Sequence, residues 1–73
     1  MAAPEGIVTG TKLREAREAA GLTRKALAEL SGINFRSIES YEQSIRDFNL
    51  AKVNIVKAIA QALNLKIEDI LDY

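Results

Sequence analysis

Apolar residues return along this chain every three or four positions, the repeat of a helix with one buried side. No stretch of five or more residues alternates apolar with polar as a half-buried strand would. Leu13, Ala16 and Ala20 predict a helix from Thr11, whose hydroxyl can cap it, to Ala20, with Gly21 ending it. Arg17 falls on the same stripe. Thr23 caps a second helix with Leu27, Ala28 and Leu30 inward, ending at Ser31-Gly32. Asn34 caps a third, with Ile38, Tyr41 and then Glu42 inward. Gln43 to Asn49 breaks the periodicity and reads as a loop pinned by Ile45 and Phe48. Val56, Ile59, Ala60 and Leu63 predict a fourth helix over about 51–63, with Asn64 as its left-handed terminus. A short fifth helix is expected over about 67–71. The fold class is therefore all-α, with five short helices.

Residues 1–10, with Pro4, Gly6 and Gly10, read as a flexible N-terminal arm before a single folded domain over 11–73. At 73 residues the chain can bury one small core, and a deep enclosed active site beside it is not expected.

Composition narrows the chemistry. There is no Cys and no His, which removes thiol nucleophiles, disulfides, Cys/His zinc sites and imidazole acid–base catalysis. The four glycines stand apart at 6, 10, 21 and 32, so there is no glycine-rich phosphate loop. An enzyme is not expected, nor is a cofactor or metal. No apolar run is long enough to span a bilayer and the N-terminus lacks the pattern of a signal peptide, so a cytoplasmic setting is the default. Ten basic residues balance ten acidic ones. Six of the basic and four of the acidic lie in residues 1–36, so the front half is mildly basic.

Two deductions come from the residues alone. The helices predicted after Thr23 and Asn34 are joined by a turn too tight to lay them antiparallel, so they cross steeply. The small Ala28 suits the close approach, and Gly32 supplies a positive φ without Cβ strain. That is the mechanical form of a helix-turn-helix, which presents the outer side of its second helix to a DNA major groove. Separately, Arg17 and Glu42 each interrupt an apolar stripe. A lone buried charge is very costly, so the two are expected to pair.

The spacing Ala28, Gly32, Ile38 resembles the phage-repressor and Cro family of helix-turn-helix regulators, the XRE family. Leu13-Arg14-Glu15-Ala16-Arg17, Gly21-Leu22-Thr23, Leu27 to Ile33, Ile38-Glu39-Ser40-Tyr41-Glu42, Ala60 to Leu65 and Glu68 to Leu71 extend the likeness over about residues 12–72. The resemblance implies a lambda-repressor-like domain and the same Arg17–Glu42 salt bridge. It implies that Asn34, Phe35, Arg36 and Ser40 face the groove. A helical wheel agrees for Asn34, Arg36 and Ser40, which lie away from Ile38 and Tyr41. Arg36 suits guanine O6 and N7, or a phosphate, and Asn34 suits adenine in competition with its cap. Phe35 is open between covering a thymine methyl and packing at the core edge. Thr23, Arg24, Ser37, Gln43 and Arg46 are the phosphate candidates, with Lys12, Arg14 and Lys25 weaker.

Three positions depart from the family pattern: Arg24 where Gln is usual, Ser44 where Gly is usual, and Ile45 where a basic residue is common. The expectation is a sequence-specific regulator of double-stranded DNA, a repressor. It would bind a near-palindromic operator as a homodimer formed through Ile67, Ile70, Leu71 and Tyr73, unless those residues close the core instead. An antitoxin, or a protein-interaction module that kept the fold without binding DNA, are the alternatives.

Overall fold

The computed structural model describes residues 9–71. Among them are four α-helices and no strand: α1 Thr11–Ala19, α2 Arg24–Ser31, α3 Phe35–Glu42 and α4 Val53–Ala62. The all-α expectation holds, but the count is four. The segment expected as a fifth helix is a 3-10 turn, Ile67–Asp69, with Ile70 N–H bonded to the Ile67 carbonyl and the Asp69 carboxylate accepting from Lys66 N–H. One turn is too short to propagate an α-helix, and the tighter bonding is the usual outcome.

The expected loop before α4 contains another 3-10 turn, Phe48–Leu50, in which the Asp47 carboxylate accepts from Asn49 N–H. That turn leaves Ala51 extended, so α4 starts at Val53, two residues later than the stripe suggested. Asn64 ends α4 in the left-handed region, at φ 60°.

One apolar core joins all these elements. Leu13, Leu27, Ile38, Tyr41, Phe48 and Ile59 have essentially no exposed surface. α2 packs on both α3 and α4, α1 on α3, and α4 on the last turn. Leu30, expected inward, is 62% exposed. Its neighbours α3 and α4 cover the Leu27–Ala28 side of α2 and leave the Leu30 side bare. Ile45 also departs from expectation, at 71% exposed, while Phe48 is buried as expected, with its ring 5.1 Å from that of Tyr41.

The ends of the domain bring two further corrections. Thr9 and Gly10, assigned to the arm, are buried; residues 1–8 of that arm lie outside the described residues. The Thr9 carbonyl accepts from the Ser44 hydroxyl at 2.6 Å, and the Thr9 hydroxyl accepts from Phe48 N–H at 3.1 Å. Gly10, not Thr11, is the cap of α1, at φ 87°. A Cβ on Gly10 would stand 1.9 Å from the Tyr41 carbonyl oxygen, so only glycine passes here.

At the other end Ile70 and Leu71 are buried in the core and Ile67 packs against it. Ile70 and Leu71 thus help close the fold, and Ile67 stays partly exposed; Tyr73 lies outside the described residues. The exposed large apolar side chains are elsewhere, Leu50, Ile45 and Val53 foremost. No helix among the described residues is long and apolar enough to cross a membrane.

Candidate nucleic-acid interface

The joint between α2 and α3 is built from local chemistry. Thr23 is the cap of α2, its hydroxyl accepting from Ala26 N–H at 3.0 Å. α2 ends on Gly32 at φ 73°, whose N–H bonds the Ala28 carbonyl. The Ser31 hydroxyl accepts from Ile33 N–H at 3.2 Å and bridges the turn. Asn34 then opens α3, its side-chain oxygen accepting from Arg36 N–H at 2.7 Å. Each cap satisfies a backbone donor that the first helical turn would leave unbonded.

The inner stripe of α3 is Ile38, Tyr41 and Glu42, all buried. The pairing deduced from the stripes forms. Arg17 donates to Glu42 from Nε at 2.7 Å and from Nη2 at 3.1 Å, and its Nη1 donates to the Leu22 carbonyl at 2.8 Å. The hydrogen bonds to Glu42 raise the Arg17 pKa above the ordinary arginine value, against the opposing effect of burial. A raised value stabilises the fold at every pH below the unfolded arginine pKa, so this side of the pair is lost only in strong alkali.

Glu42 has a second partner. Arg24, the first residue of α2, donates from Nε to Glu42 Oε1 at 2.9 Å, and its Nη1 lies 3.7 Å from Glu39 Oε2. One carboxylate with no exposed surface therefore ties α1, α2 and α3 together. No buried side-chain nitrogen or oxygen among the described residues lacks a partner.

The outer side of α3 contrasts with this. Arg36 and Gln43 are exposed and Ser40 is half-buried. Their spacing of four and three residues sets them on one ridge. Asn34, at the head of the helix, is exposed, though its oxygen is committed to the cap and only its amide NH₂ is left to donate. Phe35 is 41% exposed, at the edge between core and solvent. Ser37 is half-buried on the opposite shoulder.

Among the phosphate candidates, Thr23 and Arg46 are exposed and Arg24 is half-buried. The Arg24 guanidinium is engaged by carboxylates, and that of Arg46 sits 4.9 Å above the Tyr41 ring. The Ser40 carbonyl accepts from the amides of Ile45 and Arg46, which folds the following loop back toward the helix end. Of the weaker candidates, Lys12 donates to the Glu68 carbonyl at 3.3 Å, while Arg14 and Lys25 are exposed.

Two short helices in contact, joined by a tight turn on a left-handed glycine and with an exposed polar outer ridge, form the architecture of a known class. Residues 9–71 match the family model described as a helix-turn-helix domain. This chain belongs to the helix-turn-helix family. It is a member of the DNA-binding, transcription-regulating kind that the XRE-like motifs suggested. Among solved structures it is similar to the restriction-modification controller protein C.AhdI from Aeromonas hydrophila. The two share 26% sequence identity, covering 93% of this chain and 98% of that one, with a TM-score of 0.79. No protein of curated function matches it in sequence.

Two features of this helix-turn-helix escaped the sequence reading. Glu39, on the shoulder of α3 that faces Arg24, was named only as part of the α3 motif and given no role; Arg24 in place of the usual Gln was the available signal. Ser44 at the family's glycine position carries φ 60°, and its hydroxyl bonds Thr9, a contact between residues thirty-five apart that no local pattern encodes.

Proposed function

We propose that this chain is a sequence-specific regulator of double-stranded DNA that lays the outer ridge of α3 in the major groove. The observation that carries this reading is the division of α3: its inner side is fixed to three elements, and its outer side is uncovered and polar. Arg36 and Ser40 read base edges, with Asn34 through its amide NH₂ and Phe35 through a thymine methyl. The start of α2, with Thr23 and Arg24, meets phosphate at a helix N-terminus, while Ser37, Gln43 and Arg46 hold the backbone beyond α3. Family membership and the likeness to a controller protein support the same reading.

One eight-residue recognition helix spans only a few base pairs. Useful selectivity therefore calls for two copies on a near-palindromic site, and the proposal includes a homodimer acting as a repressor by occupancy of its operator.

Selection of bound duplexes from a random pool tests the whole reading. Enriched sites should contain two inverted half-sites about one helical turn apart. Affinity for them should fall on the order of a thousandfold between 50 and 200 mM salt if about six phosphates are contacted. A chain that selects no duplex at low salt and instead captures a protein partner tightly would overturn the proposal in favour of an interaction module.

A further inference from the structure

A carboxylate on the side of a helix that meets a polyanion is normally repelled. Glu39 occupies such a place, on the shoulder of α3 between the inner stripe and the ridge of Arg36, Ser40 and Gln43. Its side chain is 37% exposed, and that of Arg24 is 29% exposed. Arg24 holds Glu42 at 2.9 Å through Nε and stands 3.7 Å from Glu39 through Nη1. Buried Glu42 thus fixes the guanidinium, and the guanidinium offsets the charge of Glu39.

At 3.7 Å the Arg24–Glu39 contact is longer than a hydrogen bond, so Glu39 is steered without being saturated. A carboxylate can accept about four hydrogen bonds. The donors that base edges offer in the major groove are the amino groups of cytosine and adenine, and a carboxylate suits cytosine N4. Guanine O6 and N7 and thymine O4 are acceptors and would be rejected by the same oxygen atoms.

Resting on the function proposed above, we infer that Glu39 is a further specificity-determining residue, accepting from a cytosine amino group, with Arg24 as its positioning residue. The test starts from the site selected by the wild-type chain and measures binding to all single-base-pair variants of it. Glu39→Ala should flatten discrimination at one base pair per half-site, by about five- to hundredfold, and leave the other positions as they were. Glu39→Gln should move the preference at that position toward adenine, which an amide reads at N6 and N7. Arg24→Gln should weaken the preference at the same position, and the double variant with Glu39→Ala should discriminate there no worse than Glu39→Ala alone. Thermal unfolding of each variant accompanies the binding data.

If Glu39→Ala changes affinity equally for every sequence, Glu39 acts only as a charge and the inference is overturned, with the regulator reading intact. If the wild-type chain selects no DNA, both are overturned.

Discussion

On the inner side of α3, Ile38, Tyr41 and Glu42 are each at most 7% exposed, and both carboxylate oxygens of Glu42 are bonded. On the outer side, half a turn round the same eight residues, Arg36 is exposed and Ser40 and Glu39 are partly so. The inner positions answer to packing, and a substitution there is felt by three helices at once. The outer positions answer only to whatever docks on them, so they are free to encode a ligand at almost no cost to the fold. A protein that must recognise a duplex through one short helix needs this separation, because bonds made while folding leave fewer donors and acceptors for reading.

That contrast can be broken most forcefully at Glu42. Glu42→Ala leaves Arg17 without its buried partner and should destabilise the fold by about 3–5 kcal/mol in urea unfolding. A loss below about 1 kcal/mol would mean that the pair is wet and the inner side less demanding than it looks. Gly10→Ala comes next. Its methyl would meet the Tyr41 carbonyl in a left-handed backbone, and about 2–4 kcal/mol should be lost. Gly32→Ala is the control: its φ is 73°, but open space surrounds it, so strain alone should cost roughly 1–2 kcal/mol.

On the outer side the order of effects reverses. Arg36→Ala should shift the unfolding midpoint by less than about 0.5 kcal/mol, while specific binding weakens by about 1–3 kcal/mol with discrimination lost at one position. An equal loss on all sequences would assign Arg36 to phosphate instead. The smallest effect is expected at Ser44, midway between the two regimes. Ser44→Gly relieves a left-handed serine and removes the hydrogen bond to Thr9, two terms of about 1 kcal/mol with opposite sign. Chemical denaturation should detect a net change below about 1 kcal/mol.

Much of this molecule was legible from residues that act over a few positions. Thr23 and Asn34 cap the helices they begin, Gly32 and Asn64 take the left-handed ends, and the inner stripe of α3 has the helical repeat. These features are legible because capping and periodicity depend on bonds within one turn. The Arg17–Glu42 pair was legible for a different reason: a charge on an apolar stripe has few tolerable partners. The exposure of Leu30 and the burial of Ile70 and Leu71 were not legible, since apolar character says nothing of which neighbour arrives to cover it.

The candidate site divides in the same way. The sequence by itself determined the helix that is offered and which of its residues lie away from the core, because the repeat of the helix fixes both. Only the tertiary structure decided that Arg24 would be shared between Glu42 and Glu39, and that Thr9 and Gly10 would be threaded beneath Tyr41 and Ser44. Those outcomes depend on how whole helices cross, and the crossing is set by the volume of the complete core.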